Sequence, residues 1–228
     1  MKNGANILLA AGATAAALAP AAARASETIA YAYDARGRLV QVAHSGTVND
    51  GVTTLYALDK ADNRTGKTIL GAPTIADFSF EAPAMGSGYA YNPAATGASF
   101  TGHSGVAGNG SDWELATAPD GTQAAFLQGS GTATPSSITL DVSGLLAGQW
   151  YTLSFYTARR TSYAANPLEV RAGGTLLGTY TPASTAFAAS TTPAFQATGA
   201  STTIEFRTTS NDALIVAGLD KVTLAASP

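Results

Sequence analysis

The stretch Tyr151-Thr152-Leu153-Ser154-Phe155-Tyr156-Thr157 alternates large apolar side chains with small or polar ones at a period of two. Strand side chains point to opposite faces in turn, so Tyr151, Leu153 and Phe155 form an inward set. Thr152, Ser154, Tyr156, Ala158 and Arg160 are then expected to point outward. The same pattern sends Leu168 and Val170 in and Glu169 and Arg171 out, and later sends Ile204 and Phe206 in and Glu205 and Arg207 out. Further strand candidates are 124–128, 137–142, 175–180, 194–198, 202–208 and 219–224, each bounded by clusters of Gly, Pro, Asn or Ser. No window sustains a helical period. About eight short strands in roughly 150 residues, with frequent turns, predict an all-β fold of β-sandwich or jelly-roll type.

Composition bounds what such a fold can do. The chain has 228 residues, no Cys, 2 His and only 12% charged residues. Disulfide scaffolds and thiol nucleophiles are thereby excluded, and a closed zinc site would have to borrow carboxylates. A formal charge of −3 carries no basic stripe for nucleic acid. The Gly, Ser, Thr and Ala richness hints at disorder, yet 8 Phe, 9 Tyr and 2 Trp supply a core.

Met1 to Ala25 reads as a signal peptide. Lys2 gives the positive end, Ile7 to Ala22 is apolar and broken by Gly12 and Pro20, and Ala23-Arg24-Ala25 presents small residues to a peptidase. Cleavage there removes Lys2 and Arg24 from the 12 basic residues, leaving 10 against 15 acidic ones and a net −5. A secreted, periplasmic or cell-surface protein is expected, with no membrane span after cleavage. With no disulfide, its stability must come from a sizeable core or a bound metal ion.

Residues 26–70 contain a short repeat. Tyr33-Asp34-Ala35-Arg36-Gly37-Arg38-Leu39 and Leu58-Asp59-Lys60-Ala61-Asp62-Asn63-Arg64 align at an offset of 25. Each follows a strand-like stretch and turns sharply, where Gly37 and Asp62 or Asn63 tolerate positive φ. Two β-hairpins are predicted, with Asp34 and Asp59 as turn caps and Arg36, Arg38, Arg64 and Lys67 as a modest basic cluster. This stretch resembles the YD repeats of RHS-type proteins, whose units stack into a β shell. Two units are too few for a shell of that kind.

Residues 71–74 read as a linker and 75–226 as the sandwich domain. Four blocks run through that domain: Asp77-Phe78-Ser79-Phe80-Glu81-Ala82-Pro83, Ala118-Pro119-Asp120-Gly121-Thr122-Gln123, the Trp150 to Arg160 stretch, and Ala217-Gly218-Leu219-Asp220-Lys221-Val222. Together they are similar to the galactose-binding-like jelly roll of secreted carbohydrate-binding modules. That resemblance implies a structural Ca2+ held by Glu81 and Asp220, since calcium takes carboxylate and carbonyl oxygens. Lys221 stands where the family often has a second acid, and Glu81 has an alternative partner in Lys221 or a turn amide.

A glycan site needs an aromatic surface and fixed polar groups. The resemblance places Arg160 in it. Tyr156 shares the predicted outward face, Trp113 and Tyr163 lie in loops suited to stacking, as do Tyr89 and Tyr91, and Gln123 follows a turn where it would meet a hydroxyl. The alternative is that the loop aromatics seal the ends of the sandwich.

Catalytic signals are weak. Gly102-His103-Ser104-Gly105 lacks the Gly of a nucleophile elbow at 106, where Val stands, and no helix follows. Asp112 with Glu114, and Glu169 with Glu205, have no sequence feature that sets them across a cleft. The expectation is an exported, non-catalytic protein that binds an envelope or matrix polysaccharide. Alternatives are a structural or adhesion element that contacts envelope proteins without a sugar, and a glycoside hydrolase or lyase.

Overall fold

The computed structural model describes residues 27–46, 51–132 and 134–227. The expected signal segment lies outside them. Every regular element among the described residues is a β-strand. Strands β1 (Glu27–Tyr33), β2 (Leu39–Gly46), β3 (Thr53–Leu58) and β4 (Arg64–Leu70) form an antiparallel four-stranded sheet in chain order.

Its two hairpins turn as their sequences dictate. Asp34 Oδ1 accepts the amides of Arg36 and Arg38 at 2.9 and 3.0 Å, and Asp59 Oδ1 accepts those of Ala61 and Asn63 at 2.8 and 2.9 Å. Gly37 and Asp62 take the positive φ of 77° and 68° that the turns demand. Within the expected basic cluster, Arg36 and Arg38 meet acids. Arg38 bridges Asp34 and Asp62, each at 2.6 Å, while Arg64 lies over the Tyr56 ring at 5.4 Å. The side-chain bond from Arg38, aided by the turn amides, holds the Asp34 carboxyl down at about 2.

The rest is a β-sandwich. Its strands are β5 (Thr74–Ile75), β6 (Tyr89–Tyr91), β7 (Ala98–Thr101), β8 (Ser104–Gly108), β9 (Gln123–Gln128), β10 (Ser137–Ser143) and β11 (Trp150–Arg159). Then come β12 (Ala164–Ala165), β13 (Leu168–Ala172), β14 (Thr175–Tyr180), β15 (Ala188–Thr191), β16 (Phe195–Gln196), β17 (Ser201–Thr208) and β18 (Ile215–Ser227). One sheet runs β14-β13-β17-β10-β5, with β7 also on β10. The other runs β15-β11-β18-β9-β8-β6, with β12 on β18 and β16 on β11. Thr74, at the end of the expected linker, already pairs with Ser143.

The inward sets read from the sequence form the core. Leu153, Phe155, Leu168, Val170, Ile204 and Phe206 are wholly buried between the sheets, and Tyr151 is nearly so. Phe155 meets Phe206 edge-on at 5.1 Å. The chain departs from the sequence reading in two respects. The expected strand over 194–198 shrinks to Phe195–Gln196, and the strands β6, β7, β8 and β15 are too short for their patterns to have announced them. Ala158, expected on the outer face, is fully buried beside buried Thr157. The alternation of β11 runs unbroken through the register shift at Phe155, where β18 carries the extra residue, and Ala158 is buried because Leu115 and Phe187 approach the outer face at its partner Gly218.

Leu115 belongs to a second, smaller core outside the sandwich. Phe126 and Val216 point away from the main core and are covered by Trp113, with Ala107 and Leu115 alongside. Strands β8 and β9 are therefore buried on both faces almost throughout.

Candidate functional site

The covered outer face is where the predicted site residues partly converge. Trp113 lies on Phe126 with ring centres 3.9 Å apart and planes tilted by 30°. It is only 4% exposed, so it does not offer a stacking face to a ligand; it braces the residues that do. Those are Tyr89 and Tyr91 on edge strand β6, 46% and 41% exposed, with ring centres 5.2 and 5.5 Å from Trp113. The period of two puts both tyrosines on one face of β6. Their planes stand at 83°, which makes a bent surface rather than a flat one.

Polar groups rim the tyrosines. The Tyr91 hydroxyl donates to Gln128 Oε1 at 2.7 Å, and Gln128 Nε2 donates to the Ala213 carbonyl at 2.6 Å. His103, exposed in the bend between β7 and β8, sits 5.8 Å from the Tyr91 ring. Burial pushes the Tyr91 phenol above its usual range, and the nearby Arg160 charge pulls against that.

Glycines on β8 let the edge strand dock. A Cβ on Gly105 would strike the Ala90 carbonyl and the Phe126 ring, and one on Gly108 would strike the Gly86 carbonyl. Only a residue without a side chain fits at either place.

Arg160 follows β11 at the same end of the molecule. Its guanidinium carbon lies 4.5 Å from the Trp113 ring centre and 4.3 Å from that of Tyr163. The Tyr163 amide donates back to the Arg160 carbonyl at 3.2 Å, closing the turn that stacks the two side chains. Nη2 donates to the Asp112 carbonyl at 3.2 Å and so ties the Trp113 loop to the end of β11.

Two predicted members stand apart. No ring, hydrogen-bond or ionic contact among the described residues joins Tyr156 to Arg160; Tyr156 is half-buried, with Lys221 Nζ 5.9 Å from its ring. Gln123 requires a correction. It is buried, its Oε1 accepts the Met85 amide at 2.8 Å, and its Nε2 donates to the carbonyls of Phe80 and Pro83 at 2.5 and 2.9 Å. Its amide holds the 80–85 loop and has nothing left for a hydroxyl. Sequence reasoning named Tyr89 and Tyr91 only as two aromatics among several, because three-residue β6 gives too short an alternation to assign a face.

The calcium expectation has its own geometry. Glu81 Oε1 accepts the amides of Thr122 and Gln123 at 3.0 and 3.1 Å, and Oε2 accepts the Thr122 hydroxyl at 2.9 Å. Turn donors, rather than Lys221, therefore satisfy Glu81. Asp220 is fully buried; its Oδ2 accepts the Asp120 amide at 2.9 Å while Oδ1 has no partner. Burial, with smaller contributions from the Asp120 and Glu81 charges, pushes the Asp220 carboxyl up to about 7 against the pull of two amides. Asp77 Oδ2 is likewise buried without a partner, and burial raises that carboxyl too. Among the described residues no group of three or more His, Cys, Asp or Glu side chains is gathered around one point. The free, buried Asp220 Oδ1 is the feature here that suits a hard cation such as calcium, whereas both Glu81 oxygens already accept hydrogen bonds.

A cleft of about 740 Å³ opens elsewhere, between Tyr31, His44 and Thr53 of the N-terminal sheet and Phe78 and Leu224 of the sandwich. None of the predicted site residues lines it. Among the described residues no helix is long and apolar enough to cross a membrane.

No protein-family model matches the chain, and no curated protein matches it. Solved structures do. The Stig cyclase Fisc from Fischerella sp. TAU aligns at a TM-score of 0.47 and 19% identity, over 69% of this chain and 99% of its own. The K2 cleaved adhesin domain of Lys-gingipain aligns at 0.46 and 13%, over 69% and 100%. The CBM36-1 domain of a multidomain xylanase from the hindgut metagenome of Trinervitermes trinervoides aligns at 0.43 and 12%, over 68% and 98%.

Proposed function

We propose that this is an exported, non-catalytic carbohydrate-binding protein that recognises an envelope or matrix polysaccharide at the Tyr89–Tyr91 face. The observation that carries the reading is the pair of half-exposed tyrosines on β6, fixed from behind by Trp113 and bordered by Arg160. Sugar rings present apolar C–H faces that stack on aromatics, while their hydroxyls need a few fixed polar groups, here Gln128, His103 and Arg160. Export rests on the apolar, alanine-rich segment before Glu27. The ion between Glu81 and Asp220 would be structural, tying the loop after Asp77 to the last strand. The two N-terminal hairpins keep their likeness to YD repeats as part of this proposal.

Retention on immobilised plant, algal and bacterial glycans tests the reading. Wild type is expected to bind at least one of them, and Tyr89→Ala to lose about tenfold in affinity without loss of fold, as removal of a stacking aromatic costs on that order. Absence of binding across the whole panel would overturn it. One observation favours an adhesion role instead. β1 is exposed along its length, and Ile29, Tyr31 and Tyr33 are among the exposed large hydrophobics. Self-association lost in Tyr31→Lys, together with indifference to sugars, would decide for that role.

A further inference from the structure

Given a glycan on the Tyr89–Tyr91 face, the reading on which the proposal below rests, the charges around that face define the chemistry of the ligand. Arg160 is a cation without a counter-charge. Among the described residues it forms no ion pair, and neither does Arg159 beside it, whose Nη1 donates to the Tyr163 carbonyl at 3.1 Å. Asp112 and Glu114 are exposed on either side of Trp113, yet Arg160 takes the Asp112 carbonyl and neither carboxylate. Arg36, Arg38 and Arg171, by contrast, are all paired with acids.

Two donors here also lack acceptors. Arg160 Nε and Trp113 Nε1 are buried without a hydrogen-bond partner, and Trp113 is nine-tenths buried or more. The guanidinium carbon lies over the Trp113 ring, 4.5 Å from its centre. Buried N–H groups are nearly always paired in folded proteins, so both orphans stand out beside the tyrosine face. The rings of Trp113 and Tyr163 hold the guanidinium plane and thin out the water around it. In such surroundings its fork suits a planar or tetrahedral anion rather than a neutral hydroxyl.

The stacking surface is next to it. Tyr89, Tyr91 and Arg160 all touch the same Trp113 ring, at 5.2, 5.5 and 4.5 Å. The Arg160 charge acts on the Tyr91 phenol, so a sugar stacked on the tyrosines would lie within the reach of the guanidinium. We propose that the site takes an anionic glycan, whose ring stacks on Tyr89 and Tyr91 while its carboxylate or sulfate ester pairs with Arg160. The protein's own charge of −3 gives no general attraction to polyanions, so the preference comes from this one contact.

Paired ligands that differ only in charge test it. Polygalacturonate is compared with its fully methyl-esterified form, and a sulfated galactan with the same galactan desulfated. Wild type is expected to bind one charged member about tenfold more tightly than its neutral counterpart, the range of one charge-assisted hydrogen bond. Which pair shows the preference identifies carboxylate or sulfate as the source. Arg160→Gln should lose the preference, binding the charged and neutral members of a pair equally, and Arg160→Lys should keep part of it. Because Arg160 also ties down the Trp113 loop, the melting temperature is read for each variant. If Arg160→Gln does not fold, the wild-type preference is measured from low salt to about 0.5 M, where screening should erode it. A preference that is absent, or unchanged by salt, overturns the anionic inference and leaves the glycan reading standing. Binding to no glycan, charged or neutral, overturns both.

Discussion

Asp220 Oδ2 accepts the amide hydrogen of Asp120 at 2.9 Å, joining the last strand of the sandwich to a loop a hundred residues earlier. The other oxygen of the same carboxyl has no partner, and the group is fully buried. That asymmetry leads to two expectations, one for pH and one for added calcium.

In the absence of metal, Asp220 titrates at about 7 in the folded protein and at about 3.9 in the unfolded chain. Between those values the folded form holds a proton that the unfolded form has released, so stability should fall as pH rises from about 4 to about 7. The slope is measured by melting in chelator. Asp220→Asn should flatten it, and added calcium should raise the wild-type melting temperature most at neutral pH. A midpoint indifferent to calcium at pH 7 would argue against an ion at Glu81 and Asp220.

The N-terminal turns respond in the opposite sense and in a different window. Asp34 is held down at about 2, chiefly by the Arg38 side chain, so its contribution is present above about 4 and lost as pH falls toward 2. Asp59 is lowered likewise, first by Asn63. Asp34→Asn should remove the acid-induced loss of the β1–β2 hairpin, read as amide exchange at Arg36 and Arg38.

Trp113→Ala should destabilise the sandwich by about 3–5 kcal/mol, the usual cost of deleting a buried indole. It uncovers Phe126 and Val216 on the outer face and removes the brace behind both tyrosines. Urea denaturation reads the loss. A cost near that of a surface substitution would mean that Trp113 is not packed onto the sheet.

Gln123→Ala should cost about 2–4 kcal/mol, because the Met85 amide and the Phe80 and Pro83 carbonyls are left without their partner. Its effect on glycan binding should be no larger than the loss of fold. A selective loss of binding at full stability would return Gln123 to the site.

Gly105→Ala should abolish glycan binding while leaving most of the sandwich folded. The added methyl would collide with the Ala90 carbonyl and the Phe126 ring, pushing β6 off its partner. Near-normal amide protection in β10, β13 and β17, with protection lost in β6, is the expected pattern.

The parts of this architecture that were legible in the sequence are those where one periodicity rules several residues in a row. β11, β13 and β17 alternate long enough that Leu153, Val170 and Phe206 could be sent inward from their spacing alone. The turn roles of Asp34 and Asp59 were legible for a similar reason, because an aspartate before a positive-φ position has few other uses. Trp113 and Gln123 were not. Each owes its burial to a loop folding back on a sheet, Trp113 onto Phe126 and Gln123 beneath residues 80–85, and no local pattern encodes such a return. Ala158 keeps the outward direction its spacing gives, but it is buried because Leu115 and Phe187 close over that face beside its partner Gly218, a cover no local pattern announces. For the site, the pairing of Arg160 with Trp113 and Tyr163 joins residues that the sequence singles out, whereas the prominence of β6 came only with the fold.

Strand β18 supplies residues 215–227 and lies between β11 and β9, in the middle of the larger sheet. A chain leaving the ribosome N-terminal end first therefore has no centre for that sheet until translation has passed nearly every other strand. Its two neighbours wait with unpaired backbone on the sides that will face each other across it. Without residues 215–227 the larger sheet would be parted between β11 and β9 rather than shortened at an edge.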